Sequence, residues 1–543
     1  MKSTQFRFIR NSFLVSREIR SGGLLSKTQA KFSTKKSDEP EAIKRLGSSV
    51  FVPQTTHRLG KNKFKVVFID KKYFKKAGQK INKKFINDFA LEVNPTNNYR
   101  PSSYVTTYAD FQKDKSGLSL SGNLGSGRAV YYKDRYNILG VGKTSLCTGE
   151  VPTHNTGNLE IINGMRRIII SRWINAFMPN GAPEHPVLIA LNKTERHKWN
   201  KNPIPLSLLV RVDDMSLDRP SHVEQNPNID FDFKNTINQY AKLDAEFFAH
   251  RILMGAWSNG NFSLSGHVID LESVSFVKYR GPYYTSSRKY PHNRFGYEQF
   301  GFLDVLHQLA DVKNIPCDKI DHQFYEARKK YLALCFLQLL GIDAAKTLEF
   351  FFRHESIVLD TALKFETLAK KIAHFKATLS LYAPVEKDTD PTLLDMSALF
   401  RNLAKITKSN NTEKKALEIL VRKTAIEKVG SSTSDTPLNS AEKFLQDNAT
   451  ISSKQLPTFL NETKKFVHQL LDIVHIMRKE NYISDNEEWL EKLHFINQEI
   501  PVTAILNKQL TLWAERYRKE KITPSRLEKQ IERLCDLPHK TSR

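Results

Sequence analysis

Cysteine is scarce and acid is in short supply: of 543 residues, four are Cys and 58 are Asp or Glu, against 83 Lys or Arg. Cys147, Cys317, Cys335 and Cys535 form no C-x-x-C pair, and neither His267 nor His292 completes a ligand ladder with them. That dispersal excludes the usual zinc and iron–sulfur spacings and suits buried thiols in a reducing compartment. No apolar run reaches the roughly 18 residues of a membrane-spanning helix. The best, Tyr331 to Leu340, is too short and is interrupted by Gln338, so the chain reads as soluble, without a transmembrane segment. There is no internal repeat, no C2H2 spacing, no RNP-like aromatic strand and no helix-turn-helix, which argues against a specific nucleic-acid partner. What is present is ordinary globular composition, 40% apolar and 26% charged, so the surplus of base does not imply disorder.

The formal net charge of +25 is unevenly spread. Residues 1–36 carry nine basic residues against the single acid Glu18, interleaved with Ser, Phe, Ile and Leu. This is the composition of a mitochondrial presequence; the other reading is a disordered basic arm on a cytoplasmic protein. Lys61 to Lys84 adds ten lysines with only Asp70. Here Phe64-Lys-Val-Val-Phe-Ile69 predicts a strand and Lys71 to Lys76 an amphipathic turn, its lysines a solvated face. The two segments supply 17 of the 25 charges, and the rest of the chain is only mildly basic.

Length and pattern predict an α+β chain in four parts: the arm 1–36, a sheet-rich lobe 37–215, a helical lobe 216–360 and a long helical C-terminal extension 361–543. Strands are expected at Tyr136–Thr144, Val187–Leu191 and Leu206–Val212. Apolar positions at helical spacing predict helices over Ile161–Phe177, Ile237–Met254 and Gln323–Leu340. Val429–Ser440 reads as a loop, and Trp489 and Trp513 as anchors of the tail.

Three features then fall in one order: a glycine turn from Gly122 to Arg128, a strand-borne Lys143 followed by a helix, and Trp257-Ser-Asn-Gly-Asn-Phe-Ser-Leu-Ser-Gly-His-Val-Ile-Asp270. A glycine loop can cover phosphates, and Asn261 and Asp270, nine residues apart across a strand–turn–strand, can converge two oxygens on Mg²⁺. Taken singly, each has a plainer reading: a tight turn, a solvated edge lysine, a turn-capping aspartate. Their order is that of a protein-kinase-like nucleotide site, which makes the expected fold bilobal.

Gly122-Asn-Leu-Gly-Ser-Gly-Arg-Ala-Val130 resembles the G-Q-L-G-D-G-R-A signature of the selenoprotein O (SelO) family, pseudokinase-fold enzymes that transfer AMP to protein hydroxyls. Met165 to Phe177 is similar to that family's L-R-E-F-L-x-S-E-A-L-H-A-L helix, Gly181-Ala-Pro183 to its G-I-P turn, and Leu209-Val-Arg-Val212 to its L-T-R-V strand. Gly255 to Asp270 matches H-G-V-L-N-T-D-N-M-S-I-L-G-L-T-I-D in spacing from its glycine onward, and Arg294 to Gln299 is similar to G-R-Y-x-F-x-x-Q. The resemblance covers about residues 115–310. It implies an ATP-dependent protein adenylyltransferase acting on Ser, Thr or Tyr of protein substrates with Mg²⁺ or Mn²⁺. Gly125, Gly127, Arg128, Lys143, Arg211 and Arg219 would bind nucleotide, Asn261 and Asp270 would hold the metal, and Lys143 and Asp270 would be catalytic.

The departures from the pattern are specific. Gly260 stands where the family has an Asp before the metal-binding Asn. Arg167 and Arg172 stand where its helix has acids, leaving Glu160 as the nearest carboxylate in sequence for Lys143. These losses keep a second function open, a catalytically inactive nucleotide-binding scaffold. The arm and the lysine run keep a third, a basic nucleic-acid-binding or membrane-surface protein.

Overall fold

Among the described residues, extended backbone concentrates in the first part of the chain and helix in the rest. The computed structural model describes residues 50–93, 103–106, 109–113, 119–123, 128–132, 135–144, 156–178, 181–196, 202–212, 218–255, 257, 259–277, 283–285, 295–371, 377–379, 394–420, 456–484, 487–497 and 503–536. The arm 1–36, Gly125, Gly127, Cys147 and the expected loop 429–440 lie outside these residues.

One eight-stranded sheet forms from β1 (Phe51–Gln54), β2 (Phe64–Ile69), β3 (Ser103–Thr106), β4 (Ala129–Tyr132), β5 (Tyr136–Leu139), β6 (Leu159–Glu160), β7 (Val187–Glu195) and β8 (Ile204–Val212). The order across it is β1-β3-β4-β5-β8-β7-β2, with β6 added on β8 and all pairs antiparallel. The strand expected at Phe64–Ile69 is β2 residue for residue. Its Phe64, Val67 and Phe68 are buried, while all ten lysines from Lys61 to Lys84 are exposed. The expected turn after it is a short helix, α1 (Lys71–Lys76), because Asp70 caps it by accepting the Tyr73 N–H at 2.9 Å. A second short helix, α2 (Lys83–Asn87), packs Phe85 edge-on against Phe74 and Phe89.

Helix α3 (Ile161–Phe177) has the limits its apolar spacing predicts. It lies so close to β7 and β8 that a Cβ on Gly164 would stand 2.5 Å from Leu188 Cδ1 and 3.2 Å from Ser207 Oγ, so a larger residue there would have to displace the Leu188 side chain. Met165, Ile168, Ile169 and Trp173 fill the core on this side of the sheet.

A helical region follows: α4 (Pro220–Gln225), α5 (Phe233–His250), α6 (Gln299–Lys313), α7 (Ile320–Leu339), α8 (Ala344–Arg353) and α9 (Glu355–Lys371). The helix expected to run to Met254 ends at His250. Arg251 takes a left-handed φ of 60°, and Ile252–Met254 is instead a strand, β9, antiparallel to β10 (Val274–Phe276). A short parallel pair, Tyr283–Thr285 with Ala377–Leu379, also interrupts the expected run of helices. Arg328 ties three helices together by pairing with Asp244 of α5 and, at 2.5 Å, with Glu366 of α9.

The tail contains α10 (Leu456–Lys479), α11 (Glu487–Ile496), α12 (Thr503–Arg518) and α13 (Pro524–Cys535). Both expected anchors are buried: Trp489 Nε1 donates to Leu340 O at 2.9 Å, and Trp513 joins the main core. Leu527, Ile531 and Leu534 form one apolar face of α13. That face returns to the sheet, where Trp173 Nε1 donates to Leu534 O at 2.8 Å and Ile69 N to Glu528 Oε1 at 3.4 Å. Residues 42–543 are one compact unit, and the main core draws on residues from Val50 to Cys535. The sheet-rich and helical parts therefore differ in secondary structure while sharing a core.

Candidate functional site

The segment between β9 and β10 folds back on itself through a bridge between Phe262 and Val268, with Ser263 N donating to His267 O at 3.0 Å and Gly266 at a φ of 82° near the tip. At its base Asn261 O accepts from Ile269 N at 2.8 Å and Asp270 N at 3.3 Å. Asn261 and Asp270, nine residues apart, are thus neighbours, as the strand–turn–strand reading requires. Buried Phe262 anchors the turn among Tyr240, Trp257 and Phe302.

Two buried arginines grip this base through backbone. Arg211, near the end of β8, directs Nη1 to Ile269 O at 3.5 Å, and Arg219, the N-cap of α4, directs Nη1 to Gly260 O at 3.3 Å. Each contacts the carbonyl just before one of the two expected metal ligands. Arg219 also opens α4, its backbone N–H meeting His222 Nδ1 at 3.4 Å.

The charge arrangement at Asp270 differs from the expected one. Arg167, on α3, places Nη2 2.8 Å from Asp270 Oδ1 and 3.1 Å from Glu272 Oε1, with Nε 3.2 Å from the same Glu272 oxygen. Arg128, expected to bind nucleotide, instead directs Nη2 to Glu272 Oε1 at 2.5 Å. Glu272 is almost fully buried and was missed in the sequence. The available signal was the Asp-x-Glu spacing of 270 and 272 together with three arginines, 128, 166 and 167, expected near an apolar sheet, since buried guanidinium groups require carboxylates. Neighbouring Arg166 donates to Val274 O at 2.7 Å, and burial lowers its pKa to about 10, against the opposing pull of Glu272. Arg172 is also paired, with Asp70 and, at 3.6 Å, with Glu184.

Lys143 is not on a strand. β5 stops at Leu139 because Gly140 and Gly142 adopt φ of 89° and 93°, and Lys143 follows them, exposed. The end of β5 that joins the core around α3 is Leu139. Glu160 closes β6 opposite Leu206 and is the N-cap of α3. Across the base, His185 is fully buried. Desolvation pushes its pKa well below the ordinary 6.5, with Arg167, Arg211 and Arg172 pushing the same way and the Pro183 carbonyl opposing.

Asp270 is committed to a guanidinium, position 260 carries no carboxylate, and among the described residues no three His, Cys, Asp or Glu side chains converge as a metal cage. What the arrangement can do is hold negative charge. Two guanidinium groups, of Arg128 and Arg167, meet the carboxylates of Asp270 and Glu272, while those of Arg211 and Arg219 meet the backbone carbonyls of Ile269 and Gly260. An open cavity of about 450 Å³ lies elsewhere, at the α8–α9 corner, where Arg353 and His354 are already paired with Glu480. No protein-family model matches the chain, and no curated protein matches it.

Proposed function

We propose that this chain is a kinase-like protein that holds a nucleoside polyphosphate such as ATP without transferring any part of it. The strand order β3-β4-β5-β8-β7, with α3 inserted between β5 and β7, supports a kinase-like small lobe: glycine-loop strands, then the strand that carries the lysine, then the helix that orients it. The turn from Asn261 to Asp270 supports the matching catalytic segment of the large lobe.

The observation that carries the inactive reading is the Arg167–Asp270 pair. Phosphoryl transfer in this fold needs a strand lysine paired with a helix acid and an aspartate holding metal. Here Leu139 ends the strand beside α3, the helix offers Arg167, and the aspartate is occupied by it. The turn itself favours a second reading, adenylyl transfer to Ser, Thr or Tyr of a protein substrate as in the SelO family, because Asn261 and Asp270 remain together at its base. Residues 1–36 favour a mitochondrial location, with the cytoplasm as the alternative; subcellular fractionation decides between them.

The test uses the full chain with ATP labelled on the α or γ phosphate, Mg²⁺ or Mn²⁺, and a protein acceptor. ATP raises the melting temperature, because a ligand of the native state stabilises it, and no label reaches protein. Transfer of α label that is abolished by Asp270→Ala would establish the adenylyltransferase reading instead, and transfer of γ label alone an ordinary kinase.

A further inference from the structure

Seven lysines and no acid fall between Lys71 and Lys84, and all seven are exposed. The segment is the short layer made by α1 and α2, and its inner side is fixed by packing. Phe74, Phe85, Ile86 and Phe89 pack with Val187 and Ile189 of β7 and with Leu208 and Val210 of β8, while the alternate residues Leu188, Ala190 and Leu209 join the core around α3. Successive strand residues point to opposite faces of a sheet, so α1 and α2 cover the face that α3 does not. In α1 the positions of Lys71, Lys72, Lys75 and Lys76 span an arc of about 140° at about 100° per residue, and buried Phe74 lies outside that arc. Lys80 follows on the connection, which is tied down where Tyr136 Oη donates to Gln79 Oε1 at 2.6 Å, and Lys83 and Lys84 begin α2. The nearest acids in sequence do not neutralise this surface. Asp70 is buried, caps α1 and pairs with Arg172, and Asp88 is buried and pairs with Arg58 at 3.0 Å. No ion pair among the described residues includes any of the seven lysines.

We infer that the outer face of the α1–α2 layer docks the chain on an anionic phospholipid bilayer. Charge complementarity calls for a polyanion, and the residue types select which one. Nucleic-acid surfaces use the planar fork of arginine on phosphates and bases, and exposed aromatic rings for stacking. Between Lys61 and Lys84 there is no arginine, Phe64, Phe68 and Phe74 are buried, and Tyr73 is half-buried. Lysine is a compact, hydrated charge on a flexible stem, which suits a leaflet whose headgroups move and offer charge without fixed geometry. Each lysine brought to an anionic leaflet multiplies affinity by about fivefold, so the four on one face of α1 act together where a single lysine would not hold. The layer lies on the other face of the sheet from α3 and its Arg167–Asp270 pair, and the inference does not depend on the nucleotide-binding reading.

The test is co-sedimentation of the full chain with vesicles of phosphatidylcholine and phosphatidylserine, and with vesicles of phosphatidylcholine alone. Each is run at low salt and in about 1 M NaCl, where the Debye length falls to about 3 Å. The chain is expected to sediment with the phosphatidylserine vesicles at low salt only. Lys71→Gln, Lys72→Gln, Lys75→Gln and Lys76→Gln together should weaken that binding by at least about thirtyfold. An equal loss of charge from exposed lysines of the helical part, by Lys408→Gln, Lys414→Gln, Lys415→Gln and Lys464→Gln, should leave it within about threefold. Circular dichroism separates lost charge from lost fold; if the α1 quartet does not fold, Lys72→Gln and Lys75→Gln singly, each expected to weaken binding by about fivefold, carry the same comparison. No sedimentation with phosphatidylserine at low salt overturns the inference, and so does equal sedimentation with both lipids. An α1 quartet variant that binds like the parent chain overturns it by moving the contact to another part of the chain, such as residues 1–36. Duplex DNA that strips the chain from vesicles at equal phosphate concentration identifies the face as a nucleic-acid surface and overturns it too.

Discussion

Arg167 Nη2 stands 2.8 Å from Asp270 Oδ1, joining helix α3 to the base of the turn at Asn261 and Asp270. The contact reverses the polarity that the SelO resemblance assigns to this helix. There an acid on the helix serves a lysine on the strand; here a base on the helix serves two acids of the turn. Leu139 completes the exchange by bringing an apolar side chain to the core beside α3. Both departures noted in the sequence, at 167 and 260, fall at the base of the same turn, where Arg167 meets Asp270 and Gly260 O accepts from Arg219.

Glu272 should matter more to stability than Asp270. Its side chain is 6% exposed and receives both Arg128 and Arg167, whereas that of Asp270 is 32% exposed. Breaking a buried pair by removing one partner costs about 3–5 kcal/mol, so Glu272→Ala is expected near that range. A partly exposed pair is worth about 1 kcal/mol or less, which sets the expectation for Asp270→Ala. Urea unfolding of the two variants checks the ranking, and equal losses would refute it.

The acid limb of stability should contain a contribution from His185. Its folded-state pKa lies well below the ordinary 6.5 because burial and three arginines resist protonation. The unfolded chain therefore binds a proton that the folded chain does not, over the window from about 6.5 down to the depressed value. Stability from this group is fully present above that window and falls as pH drops into it, by about 1.4 kcal/mol per pH unit for one proton. His185→Gln should flatten that part of the curve relative to the parent chain in urea titrations at pH 7.5, 6.5 and 5.5. An unchanged slope would show that His185 takes up its proton in the native state.

Local pattern was legible where burial decides it. Ile161–Phe177 and Phe64–Ile69 have the limits that their periodicity predicts, because each packs one broad apolar surface on a neighbouring layer. The errors arose where backbone geometry or distant charge decides. Arg251 breaks a helix by adopting a left-handed conformation that no glycine announces, and Gly140 and Gly142 end the strand expected to carry Lys143. Glu272 escaped notice because Arg128 and Arg167 lie 144 and 105 residues away in sequence. Arginine pairing of this kind is a property of the fold, and only the surplus of base near apolar segments hints at it.

Two glycines beside Lys143 should respond unequally to alanine. At Gly142, φ is 93° with open space around the added Cβ, so Gly142→Ala costs only the left-handed penalty of about 1–2 kcal/mol. At Gly157, φ is 71° and a Cβ would stand 2.1 Å from Gly142 C and 2.2 Å from Lys143 N. Gly157→Ala must therefore push the Gly142–Lys143 backbone away, breaking the Gly142 N to Gly157 O bond of 3.1 Å in addition to the same conformational cost. Thermal unfolding should show the larger loss at Gly157, and the opposite order would contradict the close approach of these two segments.

The C-terminal helices should prove structural for α3 and dispensable to no part of the sheet. Trp173 is fully buried between α3 and the tail, meets Phe276 edge-on at 5.6 Å, and bonds Leu534 O. Trp173→Phe keeps most of the apolar contact and loses one buried hydrogen bond, an expected cost of about 1–2 kcal/mol once the orphaned carbonyl is included. Ending the chain after Ile522 removes all of α13 and uncovers Trp173 along with the edge of β2 that receives Glu528. Each large side chain so exposed forfeits about 1.5–3 kcal/mol, and a folded domain has only about 5–15 kcal/mol in total. The truncated chain is expected to unfold tens of degrees lower or to aggregate on expression, with α3 and its Arg167 losing their fixed position as it does so. A truncated chain that melted within a few degrees of the parent would mean that α13 merely rests on the sheet, and that Arg167 is held by the Asp270 and Glu272 pairs alone.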